Sequence, residues 1–296
     1  MFDEQVYRGM RVATRYYPSK RFASKFSRAL GWMMKTAARG PIWARAEGFA
    51  NCPPLELDLS NRLQRKIYLF PRGYANYYLG GPLSQLLRRE LSPGHVFIDI
   101  GSNLGWFSIL AAQLVGGKGR ALAFEPDPVS YESIVRSTRL NALEQWLTVF
   151  NRALSDEDGE MVLHRDPRGL RSSLVTASRY AEVLSVPVSS LDAMAERGEL
   201  GVDRIDLIKV DVEGQEPSTI RGLLGVLARF DRPMLWCEVR GPNGSTRAPD
   251  TLTPVKSMME GLGYRALKFD GTSERVLLPE DIAKSGSQDL LFAVDR

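Results

Sequence analysis

The sequence predicts a doubly wound α/β fold, in which helices cover both faces of a mostly parallel β-sheet. Short and almost wholly apolar runs alternate with segments of helical periodicity from about residue 96 onward. Strands that are buried on both faces have this composition. The chain has 296 residues, of which 44% are hydrophobic and 25% are charged. These proportions are ordinary for a globular protein, and the length is sufficient for one large domain with an appendage.

The predicted elements follow one another around a break at Ser92-Pro93-Gly94. A strand at Lys66–Phe70 and a helix at Leu83–Leu91 are predicted before it. We expect the last two strands to pair antiparallel, which makes the fold a Rossmann-like, seven-stranded sheet with an antiparallel C-terminal strand. After the break the predicted order is strand Val96–Ile100, helix Trp106–Val115, strand Ala121–Phe124, helix Ser130–Asn141, strand Leu147–Asn151, strand Ile205–Val210, helix Glu216–Ala228, strand Met234–Glu238, helix Pro254–Leu262, strand Tyr264–Phe269 and strand Asp289–Val294.

A long insertion separates the third predicted strand from the fourth. It holds more than fifty residues, and both Gly159–His164 and Glu182–Ser189 have the composition of strands. Connections of this length in a compact domain usually have their own structure or a function. The sequence therefore predicts a β-hairpin insertion, at about residues 159–190, that borders the functional site and selects a substrate.

The positive charge is concentrated at the N-terminus. Residues 1–45 carry ten Lys and Arg against Asp3 and Glu4, a net charge of +8, whereas the whole chain carries +4. Apolar residues recur at helical spacing between Phe22 and Ala37, so we predict a basic helical N-terminal extension at 1–65 and a Rossmann-like domain at 66–296. Two interpretations of the helix stay open: it packs on the domain or on a second copy of the chain in a homo-oligomer, or it lies on an anionic membrane surface. No basic groove with interleaved aromatic residues is present, so no nucleic-acid partner is expected.

The cysteine and histidine content argues against a metal site and for a reducing compartment. Cys52 and Cys237 match no metal-ligand spacing, and the chain has two histidines. The sequence has no run of 18 apolar residues, and its N-terminus lacks the apolar centre of a secretory signal. We therefore expect a cytoplasmic protein without a bound metal, peripheral to the inner face of a membrane if the basic helix contacts lipid.

The most informative motif is the glycine-containing turn between the first strand and the first helix after the break, Asp99–Phe107. Gly101 and Gly105 allow the backbone to approach a ligand closely, and the helix that follows presents unpaired N–H groups. The spacing is G-x-x-x-G and not the G-x-G-x-x-G of dinucleotide sites. Because Asp99 is placed to accept from an ammonium group or an ordered water, a ligand with both amino and carboxyl groups fits better than a pyrophosphate. The alternative is a glycine turn that binds nothing.

Glu125 follows the second of these strands, 24 residues after Gly101. A carboxylate at this place can accept hydrogen bonds from both ribose hydroxyls, although this alone does not distinguish an adenosyl cofactor from NAD. The alternative is a surface carboxylate that caps the next helix. At the end of the third strand, backbone groups near Ala153 are placed to recognise an adenine edge.

Charged residues end the fourth strand. Burial of Lys209 beside Asp211 and Glu213 is costly unless the three side chains pair or serve a function. Asp211 or Glu213 can deprotonate or orient a substrate hydroxyl, and Lys209 can bind a substrate oxygen or hold a carboxylate ionised. A purely structural ion-pair cluster is the alternative.

Five segments together resemble the FkbM family of methyltransferases: Asp99–Phe107, Phe124–Pro128, Ala153–Gly159, Leu191-Asp192 and Ile208–Glu216. The resemblance runs from about residue 66 to the C-terminus and leaves residues 1–65 unexplained. It implies S-adenosylmethionine as donor and O-methylation of a hydroxyl on a sugar, glycolipid, polysaccharide or polyketide. Ser102 stands where the family commonly has Ala, a small change that should not prevent cofactor binding. With the motif reasoning above, the expected cofactor-binding residues are Asp99, Gly101, Ser102, Asn103, Gly105, Trp106, Glu125, Pro126, Ala153 and Asp211, and the expected catalytic residues are Glu213, Asp211 and Lys209.

Several alternatives stay open. His164 on the insertion is a weaker candidate for the base, and Glu238 can join Asp211 and Glu213 in a Mg²⁺ site. Two other classes of function are a nicotinamide-dependent oxidoreductase and a non-catalytic, membrane-associated partner protein. The sequence does not identify the acceptor molecule.

Overall fold

The structure is a computed structural model that describes residues 43–46, 53–59, 61–69, 81–165, 172–173, 182–242, 249–282 and 286–295. Its main sheet holds eight strands within those residues. They are β3 (Val96–Ile100), β4 (Arg120–Phe124), β5 (Leu147–Phe150), β10 (Leu207–Val210), β11 (Met234–Arg240), β12 (Arg265–Phe269), β13 (Glu274–Val276) and β14 (Ser287–Ala293).

The strand order is β13-β12-β14-β11-β10-β3-β4-β5. The run from β11 to β5 is parallel, and β14 lies antiparallel between β11 and β12. The mostly parallel sheet and the antiparallel C-terminal strand are therefore confirmed. The eighth strand, β13, was not predicted, because its three residues are all exposed and show no apolar alternation.

Helices cover both faces of this sheet. Alternate residues of β3 show why: Phe97 packs into the core on one face and Ile98 into the core on the other. The same alternation places Leu207 and Ile208 of β10 in opposite cores. One face is covered by α2 (Pro82–Glu90), α3 (Trp106–Val115) and α4 (Pro128–Leu140), and the other by α5 (Leu191–Glu196), α6 (Glu216–Arg221), α7 (Leu224–Arg229) and α8 (Leu252–Gly261), while the short α9 (Pro279–Ile282) precedes β14.

Two predicted elements are wrong. The predicted strand Lys66–Phe70 is instead part of helix α1 (Arg62–Leu69). Asn61 Oδ1 accepts a hydrogen bond from the Gln64 N–H at 3.1 Å, which starts the helix, and Gln64 and Tyr68 are buried at helical spacing. The single helix predicted at Glu216–Ala228 is interrupted between α6 and α7. The other predicted elements from residue 83 onward lie within two residues of the observed ones.

Gly222 explains the interruption between α6 and α7. A Cβ atom on Gly222 would lie 1.9 Å from the Ser155 carbonyl oxygen, so the backbone there is in close contact with the loop that follows the third strand. The Gly222 carbonyl in turn accepts a hydrogen bond from Asp192 N–H at 2.9 Å. Because these tertiary contacts use backbone groups at the helix end, a continuous helix does not form.

The described part of residues 1–65 includes strands, whereas the sequence predicts a helical extension. Strand β1 (Trp43–Ala46) pairs antiparallel with β2 (Leu55–Asp58). The Glu56 N–H donates to Ser137 Oγ on α4 at 2.9 Å, and Ser133 Oγ donates to the Glu56 carbonyl at 2.6 Å, so β2 is attached to the main domain. The predicted basic helix between Phe22 and Ala37 lies outside the described residues, and the domain boundary at residue 65 stays a prediction.

The insertion forms a second, four-stranded sheet in the order β6-β9-β7-β8. Its main feature is the predicted hairpin, in which β7 and β9 pair antiparallel. The strands are β6 (Ala153–Leu154), β7 (Gly159–Arg165), β8 (Ser172–Ser173) and β9 (Glu182–Ser189). In the part of the chain that the structure describes, no helix is long and apolar enough to cross a membrane.

Candidate active site

A cleft of about 890 Å³, partly open to solvent, lies at the carboxyl ends of β3, β4 and β10. This is the place where doubly wound sheets bind ligands. Of the residues predicted from the sequence, those that line the cleft are Gly101, Asn103, Glu125, Pro126, Ala153, Asp211 and Glu213.

The turn after β3 forms the floor of the cleft because two of its residues have a left-handed backbone. Gly101 has φ 77° and Asn103 has φ 50°. A Cβ atom on Gly101 would lie 1.9 Å from the carbonyl oxygen of Asp211, so only glycine permits the close approach of this turn to the end of β10.

Four predicted cofactor residues do not line the cleft. The Asp99 side chain is fully buried below the turn, where its Oδ2 accepts from Ser108 Oγ at 2.5 Å. It does hold an ammonium group, but that group belongs to Lys209, whose Nζ lies 3.1 Å from Asp99 Oδ1.

Gly105 packs against Ile134, where a Cβ would lie 2.8 Å from the Ile134 side chain. The remaining two also face the interior: Ser102 Oγ donates to the Asp99 carbonyl at 2.7 Å and Trp106 belongs to the apolar core.

Lys209 is a buried cation that links the two strands at the centre of the sheet. Its Nζ donates to the Gly101 carbonyl at 3.0 Å and lies 3.7 Å from Asp211 Oδ2. Burial alone would lower the pKa of Lys209, but the negative charges of Asp99 and Asp211 outweigh burial and raise that pKa above its ordinary value. Asp99 and Asp211 thus favour the protonated form of Lys209 at the end of β10.

Glu125 lines the cleft with a buried carboxyl group. Its Oε2 accepts from the Asn103 N–H at 2.7 Å and its Oε1 from the Asp127 N–H at 2.9 Å. Burial, together with the charge of Asp127, raises the pKa of Glu125 to about 8, although the two N–H groups act in the opposite direction. Each carboxylate oxygen has a further lone pair, so the group can still accept from two ligand hydroxyls.

Asp211 and Glu213 stand at the other side of the cleft, on the turn after β10. Glu213 has φ 53°, a left-handed conformation that is rare outside glycine. Its Oε2 lies 2.5 Å from Arg240 Nη2 at the end of β11, and this ion pair holds the turn in place. About a third of the Asp211 side chain is exposed (34%).

Comparison with known proteins decides the identity of this site. The model of the family described as the methyltransferase FkbM domain matches residues 99–266, more than half of the chain. The protein belongs to the FkbM methyltransferase family. Its methyl donor is S-adenosylmethionine.

Two similar curated proteins are methyltransferase sdnD of Sordaria araneosa and hexuronic acid methyltransferase AglP of Haloferax volcanii. The first is 28% identical over 58% of this chain and 74% of its own length. The second is 24% identical over 48% of this chain and 56% of its own length. Among solved structures, a putative rRNA methylase of Clostridium thermocellum aligns with a TM-score of 0.46 at 10% identity, over 72% of this chain and 94% of its own.

The cleft of this FkbM methyltransferase fits its cofactor. Gly101 lets the turn after β3 pack against the end of β10 and form the floor of the cleft, and Glu125 presents carboxyl oxygens to the same cleft for the ribose hydroxyls. Apolar side chains suited to an adenine ring complete the lining, namely Ile100, Phe124, Leu154, Leu163 and Val212. Of the predicted cofactor-binding residues, those placed at the cleft to contact S-adenosylmethionine are Gly101, Asn103, Glu125, Pro126, Ala153 and Asp211. The direct contacts expected of Asp99, Ser102, Gly105 and Trp106 have no support in the geometry.

The insertion borders the cleft of the methyltransferase, as predicted. Leu163 of β7 lines it, and the side chain of the next residue, His164, is directed to the opposite face by strand alternation. Arg165 holds the hairpin to the main domain through Asp127, at 3.2 Å between Nε and Oδ2. His164 is thus not placed at the cleft as a base.

Sequence reasoning missed two charged residues that line the cleft, Asp127 and Arg152, and a third, Arg240, that pairs with Glu213. Asp127 begins α4, accepting from the N–H groups of Val129 and Ser130, and its position before Pro128 is a recognisable capping signal. Arg152 lines the cleft and donates to Ser189 Oγ at 2.9 Å. Neither Arg152 nor Arg240 had a signal, because the partners of both residues are distant in sequence.

Two further carboxyl groups lie beside Asp211, on β11 and β14. Burial and the charge of Asp211 raise the pKa of Glu238 to about 8 and, to a smaller extent, that of Asp289 to about 6. Glu238 and Asp289 are paired neighbours in the antiparallel register. Among the described residues, no group of three or more His, Cys, Asp or Glu side chains is arranged to hold a metal ion.

Proposed function

We propose that the protein transfers the methyl group of S-adenosylmethionine to a hydroxyl oxygen of a sugar or sugar-like natural product. One observation carries the proposal: the carboxylates of Asp211 and Glu213 line the same cleft as Glu125 but lie on the turn after β10, across from it. A cofactor whose ribose is bound at Glu125 therefore extends towards two groups that can accept a proton.

The acceptor chemistry follows from these carboxylates. A sugar hydroxyl is a weak nucleophile, and a positioned base contributes roughly 10²–10⁴-fold to the rate of its reaction. S-adenosylmethionine supplies an electrophilic methyl carbon on a sulfonium when it is bound. The hydroxyl oxygen bonds to that carbon while the carbon–sulfur bond breaks, the bonding electron pair stays on sulfur, and the hydroxyl proton passes to Asp211 or Glu213. S-adenosylhomocysteine and the methyl ether are the products.

The remaining charged groups position this pair. Lys209 holds Asp211 from below, and Arg240 orients Glu213. The similar protein AglP is a hexuronic acid methyltransferase, and this likeness supports a sugar as the acceptor. A cytoplasmic location, a membrane contact of residues 1–45 and self-association stay predictions.

The test is methyl transfer from isotope-labelled S-adenosylmethionine to a panel of sugar glycosides and polyketide alcohols, with the product analysed by mass spectrometry. We expect O-methylation by the wild type. Of the variants Glu213→Gln and Asp211→Asn, the one that replaces the carboxylate acting as the base should lose roughly 10²-fold or more in turnover. Binding of S-adenosylhomocysteine, measured by calorimetry, should be retained by Glu213→Gln.

The matched control is Asp203→Asn, which changes an exposed carboxylate on the loop before β10 and should behave as wild type. Transfer only to nitrogen or carbon acceptors would contradict the proposed O-methylation. Full turnover by both carboxylate variants would remove the proposed base.

A further inference from the structure

A second cavity lies beside the cofactor cleft, on the face of the sheet that α2 and α3 cover. It is a half-open depression whose empty space, including the part open to solvent, is about 370 Å³. Its lining includes Gly81, Phe107, Lys209, Asp211, Trp236 and Asp289. It is separate from the cleft that holds Glu125.

Asp211 connects the two spaces. Among the described residues, it is the one that lines both the cleft and the second cavity. A group bound in the second cavity is therefore in reach of the same carboxylate as a cofactor bound in the cleft. This is the arrangement that a transfer between two bound molecules requires.

The second cavity is suited to accept hydrogen bonds. Asp211 and Asp289 present carboxyl oxygens to it, and Trp236 lines it beside Asp289. Lys209 offers little charge to a ligand, because its ammonium group already contacts Asp99 at 3.1 Å and the Gly101 carbonyl at 3.0 Å. Hydroxyl groups donate to such oxygens, whereas a carboxylate on the ligand would be repelled.

The remaining walls are apolar. Phe107 lies with its ring centroid 6.0 Å from Lys209 Nζ, and Trp236 stands on the neighbouring strand. Aromatic side chains of this kind pack against the C–H faces of a ring whose hydroxyls point elsewhere. The cavity thus combines two carboxyl acceptors with apolar walls.

We propose that this second cavity is the acceptor subsite and that it takes an uncharged, hydroxyl-rich ring, with one hydroxyl against Asp211 and another against Asp289. The proposal rests on the O-methyltransferase function proposed above and adds a substrate class to it: a neutral sugar in preference to a uronic acid. Asp289 is then a specificity-determining residue.

The experiment compares methyl glycopyranosides with the matching methyl glycopyranosiduronates as acceptors for the purified full-length chain. Asp289→Asn removes the charge with little change of shape. Gly81→Trp fills the cavity from a position whose extended backbone (φ −69°, ψ 158°) accepts any side chain. The controls are Asp203→Asn and Gly261→Trp, the latter at a position where an added Cβ would have nothing within 4 Å and the backbone has no positive φ. Calorimetric binding of S-adenosylhomocysteine checks the cofactor cleft in every variant.

We expect the wild type to prefer the neutral glycosides. Asp289→Asn should raise the KM of the best neutral acceptor by roughly 10-fold, as loss of a hydrogen bond to a charged group implies, and should improve the relative use of the uronate. Gly81→Trp should lose transfer, while S-adenosylhomocysteine binding stays at the wild-type level in both variants.

Two results would overturn the subsite while leaving the proposed function intact: an unchanged KM and turnover in both cavity variants, or a wild type that prefers the uronate. Absence of transfer by the wild type to any hydroxyl acceptor would instead contradict the proposed function, and the subsite with it.

Discussion

At the scale of single residues, the site depends on backbone positions as much as on side chains. Gly101 permits the turn after β3 to contact the Asp211 carbonyl, and Glu213 adopts a left-handed conformation that Arg240 helps to hold. Strained positions of this kind persist only where surrounding contacts favour them, and they concentrate at functional sites. The buried carboxyl of Glu125 is the counterpart on the other side of the cleft.

Gly101→Ala should abolish cofactor binding and destabilise the fold. The new Cβ would lie 1.9 Å from the Asp211 carbonyl oxygen, and the backbone has φ 77°. A left-handed conformation alone costs about 1–2 kcal/mol for a non-glycine residue. Gly201→Ala is the matched control, because Gly201 has φ 61° with nothing within 4 Å of a Cβ. Calorimetry with S-adenosylhomocysteine and thermal unfolding measure both effects; equal losses in the two variants would contradict the steric explanation.

Binding of S-adenosylhomocysteine should strengthen as the pH rises towards 8. Burial raises the pKa of Glu125 to about 8, and the ionised carboxyl accepts both ribose hydroxyls. Below that pKa binding must release a proton, so the affinity should rise by up to about tenfold per pH unit and level off above pH 8. Glu125→Gln should weaken binding and remove the slope, whereas the exposed Glu157→Gln should change neither. A wild-type affinity that is constant between pH 6 and pH 8 would contradict this role.

At the scale of elements, ion pairs between separate strands and helices hold the residues of the site in place. Lys209 of β10 stands opposite Asp99 of β3 in the parallel register, and their side chains form a buried ion pair. The hairpin of β7 and β9 is attached in the same way, through Arg165 and Asp127. These long-range pairs place the ends of separate elements around one cleft.

Lys209→Met should destabilise the protein more than the double variant Lys209→Met/Asp99→Leu. The single variant leaves the fully buried Asp99 carboxyl group without its cation, and removal of one partner from a buried pair costs about 3–5 kcal/mol. Replacement of both by apolar residues removes that unpaired group. The free energy of unfolding from urea titration distinguishes the two, with Lys256→Met as a control for the loss of an exposed lysine pair. A double variant that is less stable than the single one would contradict the argument.

At the scale of the whole molecule, carboxyl groups accumulate at the carboxyl edge of the sheet. The pKa values of Glu125 and Glu238 are both raised to about 8, chiefly by burial. Each group is protonated in the folded state at a pH where it is ionised in the unfolded chain. Their contribution to stability is therefore complete below the ordinary glutamate pKa and is lost as the pH rises through about 8.

The thermal unfolding temperature should accordingly fall between pH 5.5 and pH 8.5. Glu238→Gln should reduce this fall and raise the unfolding temperature by a few degrees at pH 8.5, since about 1 kcal/mol corresponds to roughly 2–4 °C in a protein of this size. The exposed Glu280→Gln serves as the control. Circular dichroism at three pH values measures the effect, and a steeper fall in Glu238→Gln than in the wild type would contradict it.

Much of the fold and part of the site could be predicted from local sequence. The strands β3, β4 and β10 are short apolar runs next to Gly and Pro, so burial on both faces marks them without knowledge of their partners. Glu125, Asp211 and Glu213 follow strand ends, and parallel strands bring those ends to one edge. The prediction failed at Lys66–Phe70, where the apolar residues suit a strand as well as a helix and the Asn61 cap was overlooked.

The sequence by itself determined a doubly wound fold with its cleft at Gly101, Glu125 and Asp211, because those signals depend on residues close together in the chain, and the resemblance of five segments to the FkbM family indicated a methyltransferase. Only the tertiary structure decided which of the motif residues face a ligand. It placed Asp99 and Trp106 in the interior, made Lys209 a buried cation, paired Glu213 with Arg240, and put Asp289 beside Asp211. These outcomes depend on the distance and burial of partners that are far apart in sequence, and no local pattern of residues encodes them.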